Sequence, residues 1–509
     1  MTRQVAVASS SAVATDAATE IIELGGNAVD AAVAAAFVSI NTEPGVCALA
    51  GGAYITLWAP DADPVCIDGY ARIPGLGATS VTRPIPVPVH MDYGGGVTTY
   101  VGAGSVAVPG TPGALSLVHE RYGQLPWRAC LDPAIRICRE GFPLPKACRY
   151  YLEYSGTSVF GRSDIGFSAL HPDGERLAQA GERIVVEGLA NTLETLADEG
   201  VASFYRGDIG RAIVQHVQAH GGYMTPQDLE SFSPVVYPAS EYQVGEWALA
   251  LPPPPSIGGS VLGAMLQLVA RGIDPVESMY RCLRYRREHM DFAEDLPAAT
   301  EALLDSTLEH ELARFASANT VHTSAADTDG LACAITASAG YGCGEIPDGT
   351  GLWLNNCLGE IELNRRGFGA RPAGATLPTN MAPAAARFEQ DTLAIGTPGA
   401  DRITSAMLQT LSAFMVGGAS LVDAIAAPRW HVEMTLEPDT TGYTAILHTE
   451  PGVRAAAPSG ALEHTHSAAG MYFGGVSAAQ TNSRSLSAVA VADPRRVGGT
   501  TIASPNTDV

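Results

Sequence analysis

The stretch from residue 28 to residue 40 is the strongest constraint on what this chain can fold into. Only Asp30 and Ser39 interrupt a run of Ala, Val, Phe and Ile. A helix at a protein surface needs a polar face, and this one has almost none, so it has to be covered on nearly every side. At this length it also falls short of the roughly 20 apolar residues a bilayer span needs. Burying it takes layers of structure above and below. Its surroundings supply them: 5–8 reads as a strand, 11–24 as a helix stopped by Gly25-Gly26, and 53–58 and 64–68 as two further strands. This alternation predicts a layered α/β core.

Further along, helical patterns occupy 127–141, 191–222, 260–270 and 274–295, and 296–317 reads as a weakly patterned, Ala-rich connector. The character then changes. Runs 321–326 and 331–337 read as strands joined by Asp327-Thr328-Asp329-Gly330, whose Asp-Gly pair is a hairpin signal. A second hairpin is expected at 384–396, helices at 401–416 and 419–427, and mostly strand and loop in the last hundred residues. No internal repeat separates the halves, which predicts one interleaved domain.

Charge narrows the partners. Thirty basic and 53 acidic residues give a formal charge of −23, which repels nucleic acid and anionic membrane surfaces alike. No basic start followed by an apolar stretch marks a secretory signal, so the expected location is cytoplasmic. Nine cysteines, scattered from Cys47 to Cys357 without a Cys-x-x-Cys pair, suggest reduced thiols rather than a disulfide framework or a zinc site. The nearest approach to a metal pattern is His464-Thr465-His466, whose alternation on a strand points both rings to one face. With no third ligand nearby in sequence, neither a metal nor any other cofactor is assigned. Gly-x-Ser-x-Gly, Walker, His-Glu-x-x-His and dinucleotide motifs find no match.

Asn319-Thr320, opening the run Asn319-Thr320-Val321-His322-Thr323-Ser324, is the chemically informative dipeptide. A threonine at a newly made N-terminus carries its own base: an α-amine with a reference pKa of roughly 7.7 to 8 can take the hydroxyl proton near neutral pH. Eight segments in order frame this position. Before it come 25–32 (Gly-Gly-Asn-Ala-Val-Asp-Ala-Ala), Val108-Pro109-Gly110-Thr111, Phe204-Tyr205-Arg206-Gly207 and the proline-glycine loop 252–259. After it come 351–356 (Gly-Leu-Trp-Leu-Asn-Asn), 396–403 (Gly-Thr-Pro-Gly-Ala-Asp-Arg-Ile), Ala427-Pro428-Arg429-Trp430-His431 and Asp493-Pro494-Arg495-Arg496.

Together these segments resemble the gamma-glutamyltransferase family. The resemblance implies an N-terminal-nucleophile (Ntn) hydrolase of α/β class, a four-layer αββα sandwich made as one chain. Self-cleavage between Asn319 and Thr320 would leave subunits 1–319 and 320–509 associated in one domain. Carried over by position, Thr320 attacks the substrate carbonyl, and the backbone N–H groups of Gly399 and Ala400 form the oxyanion hole. Ser338 takes the place of a family Thr that hydrogen-bonds the nucleophile.

The substrate positions depart from the family. Tyr70 stands where an Arg pairs the glutamyl α-carboxylate, with Arg72 two residues on as a candidate substitute. Losing that charge-assisted contact is worth roughly 1.5 to 3 kcal/mol. Glu360 replaces an Asp that binds the substrate ammonium, Thr379-Asn380 replaces a Ser-Ser pair, and Gly340 replaces an Asn. These changes imply a retuned pocket for a small, amino-acid-like molecule. The expected reaction is amide hydrolysis or acyl transfer on a gamma-glutamyl-like metabolite through an acyl-enzyme. Two alternatives stand beside it. One is hydrolysis of a carbon–carbon bond next to a keto acid, as in cytoplasmic family members that make alkylproline units of antibiotics. The other is an unprocessed, non-catalytic binding homologue.

Overall fold

The computed structural model describes residues 2–78, 86–92, 96–306, 320–436 and 443–506. Its buried helix is α2 (Ala28–Thr42), which follows α1 (Ala12–Glu23), and all fifteen of its residues are buried. The N-terminus of α2 is closed by a capping box. Asn27 Oδ1 accepts from the backbone N–H groups of Val29 and Asp30, and Asp30 accepts from Asn27 N–H at 2.9 Å. The Asp30 carboxylate also accepts from Gln124 and Leu125 N–H, so its buried charge is met by backbone donors.

Thirteen strands form the two main sheets. Along the chain they are β1 (Val5–Ser9), β2 (Gly52–Trp58), β3 (Val65–Gly69), β4 (Val235–Pro238), β5 (Ser240–Val244), β6 (Trp247–Leu251), β7 (Val321–Asp327), β8 (Ala332–Ser338), β9 (Ala384–Phe388), β10 (Asp391–Gly396), β11 (Ser477–Asn482), β12 (Ser487–Ala492) and β13 (Gly499–Ala503). The first sheet runs β13-β1-β7-β8-β2-β3-β4 and the second β12-β11-β10-β9-β6-β5, antiparallel throughout. Strands from before and after Thr320 therefore share both sheets, and β7 is clasped between β1 and β8.

The sheets face one another, β7 against β10 and β11, β8 against β9 and β10. Small side chains fill the gap: Ala250, Ala332, Ala334, Ala385 and Ala394 beside Trp58, and Ala6, Ala326 and Ala479. One large polar residue sits among them. His322 on β7 bonds Thr336 Oγ1 through Nδ1 at 2.7 Å and Ser324 Oγ through Nε2 at 2.8 Å, and Ser324 Oγ donates to the Ser477 carbonyl at 3.0 Å. Gly396 makes room for the ring, since a Cβ there would lie 2.3 Å from His322 Cε1. Burial lowers the His322 pKa to about 3, so the imidazole is neutral.

Helices α1 and α2 pack on the outer side of the first sheet. The second sheet is packed by α3 (Ile257–Ala270), which also meets α4 (Pro275–Tyr285), α5 (Leu296–Ser306) and α6 (Arg402–Leu411). Helix α5 falls in the segment expected to be a connector. Leu296 and Leu303 bury themselves in the α3 cluster and Tyr285 Oη donates to the Ala299 carbonyl at 2.9 Å, so packing supplies what the weak local pattern lacks. The rest of that segment, with Asn319, lies outside the described residues. A small three-stranded sheet stands apart from these, Trp430–Leu436 antiparallel to Tyr443–Thr449, itself parallel to Leu462–Thr465, and two short two-stranded ribbons pair Val87–Met91 with Val97–Val101 and Phe142–Pro143 with Arg183–Ile184. No helix among the described residues is long and apolar enough to cross a membrane.

Candidate active site

Thr320 immediately precedes β7 and is 3% exposed. Its carbonyl accepts from Arg496 Nη1 at 3.1 Å, which ties the head of the strand to the Asp493-Pro494-Arg495-Arg496 segment. Val321 pairs with Ala337, and the same register continued sets Ser338 opposite Thr320. Ser338 Oγ accepts from Gly340 N–H at 3.1 Å. Both residues line a pocket with about 260 Å³ of empty space.

Tyr70, Glu360, Thr379, Asn380 and Ala400 line the same pocket, joined by Leu363, Met381 and Ile403. None of the last three was assigned a role from sequence, although Ile403 closes the 396–403 motif; Leu363 and Met381 lie near residues that were assigned one. Gly399 is not in the lining but precedes Ala400 in the turn into α6, where Gly399 has φ 129° and Ala400 φ 52°. This left-handed backbone suits glycine; alanine bears a cost of roughly 1–2 kcal/mol to hold it. The turn is tied into the helix by Arg402 N–H donating to Gly399 O at 2.9 Å and Ile403 N–H to Ala400 O at 3.1 Å.

Position 340 explains how the longer acid at 360 fits. A Cβ on Gly340 would come within 2.3 Å of Asn356 Oδ1 and 3.0 Å of the Glu360 carboxyl carbon. Asn356 is itself fixed, accepting from Tyr341 N–H at 2.7 Å and donating to Thr99 Oγ1 at 2.9 Å. The Glu360 carboxylate thus occupies volume that any side chain at 340 would claim.

Tyr70 is fully buried, with its hydroxyl in hydrogen-bond reach of the Thr379 and Cys357 side chains. Burial first, then the nearby Cys357 and Glu360, push its pKa well above the usual phenol value. Arg72 is not brought to the pocket. Its Nη1 donates to Asp68 at 3.2–3.3 Å and to Thr376 Oγ1, and the guanidinium lies 5.7 Å from the Phe232 ring centre. Nor is the Asn380 side chain open-handed: its Oδ1 accepts from Arg286 Nη1 at 2.8 Å and its amide donates to Asp401 Oδ1.

Behind Asn380 lies a buried charge network that sequence reasoning missed. Arg286 Nε donates to Asp291 Oδ1 at 2.9 Å and Arg287 donates to Asp291 Oδ2, while Asp401 stands 3.8–4.0 Å from both guanidinium groups. Burial, partly offset by these carboxylates, lowers the Arg287 pKa to about 9. The two arginines hold Asp291 below the usual carboxylate range despite its burial. The adjacent Arg286-Arg287 pair was the available signal, but nothing local ties it to residues 380 and 401.

On the other side of Thr320, buried Glu43 accepts from Ser10 Oγ at 2.6 Å, and Ser10 N–H donates to the His322 carbonyl at 3.2 Å. Desolvation raises the Glu43 pKa to about 7 against the opposing pull of the Ser10 bond and Arg496.

The gamma-glutamyltranspeptidase family model matches residues 14–503. The chain belongs to that family. It is thereby an Ntn-hydrolase by family. Among its relatives, a glutathione hydrolase proenzyme of Pseudomonas sp. (strain A14) is 26% identical over 486 residues, covering 85% of this chain and 82% of the relative. The acylase ACY 1 proenzyme of Pseudomonas sp. (strain SE83) is 28% identical, covering 82% and 80%. The crystal structure of cephalosporin acylase from Bacillus halodurans superposes with a TM-score of 0.80 at 22% identity, covering 98% of this chain and 96% of that one, a likeness of fold. The family thus spans relatives named for different substrates, and the identity of the substrate rests with the pocket.

Proposed function

We propose that this chain is a self-processing threonine hydrolase or acyltransferase in which Thr320, freed as an N-terminus, forms an acyl-enzyme with an amino-acid-like substrate. The fold reading that goes with it is a four-layer αββα sandwich of subunits 1–319 and 320–509. The observation that carries the proposal is the position of Thr320 at the head of a central strand, in one pocket with Ser338, Glu360 and Ala400. The freed amine accepts the hydroxyl proton as oxygen attacks the carbonyl, and the amine returns it to the leaving group. The developing oxyanion is met by the main-chain N–H groups of Gly399 and Ala400. Ser338 orients the nucleophile. Water or an acceptor amine then releases the acyl group.

Among the described residues of the lining, Glu360 is the acid and no Lys or Arg accompanies it. This favours recognition of a substrate ammonium over recognition of a carboxylate by an ion pair. The apolar share of the wall (Leu363, Met381 and Ile403) and the buried phenol at 70 favour a second reading, hydrolysis of a carbon–carbon bond beside a ketone: attack there develops the same oxyanion, and its collapse expels a carbanion that the substrate has to delocalise before the amine's proton quenches it.

Turnover of a γ-glutamyl anilide, measured beside a 2-oxo acid with a vinylogous carbonyl, separates the readings. Intact-mass measurement of the same preparation tests processing: two fragments, the second beginning at Thr320, are expected, and a single intact chain with full turnover would overturn the mechanism. Glu360→Ala is expected to raise KM for free-amine substrates about tenfold or more, the loss of one charge-assisted contact. Equal rates on amine-blocked and free substrates would count against the role given to Glu360.

A further inference from the structure

The small sheet brings a third histidine, His448, to the His464-Thr465-His466 pair from which the linear sequence keeps it apart. His448 lies on the strand Tyr443–Thr449, whose parallel partner Leu462–Thr465 sets His464 in register with it. His466 extends that pairing, donating its N–H to the Thr449 carbonyl at 2.8 Å, and its ring falls beside that of His464 with centres 4.7 Å apart. One ligating atom from each of the three rings lies within 4.8 Å of the others. His448 Nδ1 and His466 Nε2 point at each other across 3.1 Å.

The second nitrogen of His448 faces a carboxylate at ion-pair distance. Its Nε2 lies 3.0 Å from Glu433 Oε2, and that oxygen accepts from Tyr472 Oη at 3.0 Å. A carboxylate holding the far nitrogen of an imidazole, itself oriented by a further hydrogen bond, is the usual support of a metal-ligating histidine. Two other groupings lack this form. At Asp30, His119 and Cys130 the carboxylate is committed to backbone donors. At His216, His220 and Glu345 only two imidazoles are present, and His220 Nδ1 sits 2.8 Å from its own helix carbonyl at His216.

We propose that His448, His464 and His466 form a binding site for a divalent transition-metal ion of the zinc type, with Glu433 fixing the His448 ring. Three imidazoles suit zinc, cobalt or nickel rather than magnesium or calcium, which take oxygen ligands. Ligands about 2.0–2.1 Å from a tetrahedral ion stand roughly 3.4 Å from one another. The 3.1 Å pair is already near this spacing, and a ring nitrogen of exposed His464 lies within 4.8 Å of both. The site also touches the turn beside the pocket: Tyr472 O accepts from Arg402 Nε at 3.0 Å, the Arg402 guanidinium lies 4.6 Å over the Tyr472 ring, and Arg402 follows Ala400 by two residues.

The test is a titration of full-length, tag-free, chelator-treated protein with Co(II), followed by Zn(II). One equivalent of Co(II) is expected to give the visible absorption of a four- or five-coordinate nitrogen site, and Zn(II) to bleach it. His464→Ala and His466→Ala are each expected to abolish the band. Glu433→Gln is expected to weaken affinity about 10- to 100-fold. His216→Ala is expected to leave the titration unchanged. The proposal is overturned by no band in the wild type, by wild-type and His464→Ala titrations that coincide, or by loss of the band in His216→Ala. Circular dichroism confirms that each variant is folded, and none of these readouts depends on processing at Thr320.

Discussion

The pocket at Thr320 and the histidine cluster on the small sheet are assembled in different ways. The pocket draws residues from segments scattered over more than three hundred positions, Tyr70 to Ile403, onto the end of one central strand, and nearly all of them are buried. The cluster draws residues from adjacent strands of a peripheral sheet, and one of its rings is exposed. In the pocket Ser338, Thr379 and Asn380 are held by buried partners, so much of the geometry is set before any ligand arrives and the removal of one group propagates. At the rim the rings are held by strand register and one carboxylate, so the ligand has to finish the arrangement. A pre-organised interior is costly to disturb, whereas a peripheral cluster is cheap to change and easily refitted.

The sharpest test of the pocket is Thr320→Ala. A folded, uncut chain with turnover reduced by roughly 10⁴-fold or more is expected, checked by intact mass and by steady-state rates. Wild-type rates from that variant would break the comparison at its root. Asp291→Ala comes next. It leaves Arg286 and Arg287 in a dry interior without the carboxylate they share, and is expected to cost about 3–5 kcal/mol in a denaturant titration.

Two buried groups near the strand head give pH slopes of opposite sign. His322, held neutral with a pKa of about 3, contributes stability that is complete above pH 6.5 and is lost as pH falls toward 3. Glu43, with its pKa raised to about 7, contributes stability that is complete below pH 4.5 and is lost as pH rises toward 7. Between about pH 4.5 and 6.5 the two nearly cancel, each at roughly 1.4 kcal/mol per pH unit. Glu43→Gln removes one arm, so its unfolding free energy is expected to climb with pH across that window while the wild type stays comparatively flat. The smallest effect is expected at the rim, where His464→Ala should alter the stability of metal-free protein by less than about 0.5 kcal/mol. A loss as large as that of Asp291→Ala would erase the distinction between the two regions.

The sequence was legible where one segment carries its own constraint. The apolar composition around Ala32 and Phe37 announced the buried helix, and the Asp-Gly turn at 329–330 announced the hairpin of β7 and β8. Residues 320, 338, 360, 379, 380 and 400 could be picked out because the ordered motifs fix the family register through them, and the fold gathers them around one pocket. It was illegible where a side chain chooses among distant partners. Arg72 is captured by Asp68 and Thr376, a choice settled by strand geometry at 68–72 and the loop at 376. Arg286 and Asp401 meet across more than a hundred residues because α4 and α6 both pack on α3. His448 stands 16 positions before His464, and only a parallel register across the intervening loop makes them neighbours. The connector expected before Thr320 became helix α5 in part because Leu296 and Leu303 found a hydrophobic cluster that local periodicity could not reveal.

The clasp of β7 between β1 and β8 bears on how such a molecule comes into being. While the backbone is continuous, threading that strand home is a first-order event, independent of how dilute the protein is. A chain opened ahead of Thr320 keeps its shape because its pieces are woven through two common sheets, yet once melted the pieces must meet again by diffusion. Maturation would thus act as a ratchet: heat-denatured precursor would regain its fold at any dilution, and heat-denatured mature protein would recover in proportion to its concentration.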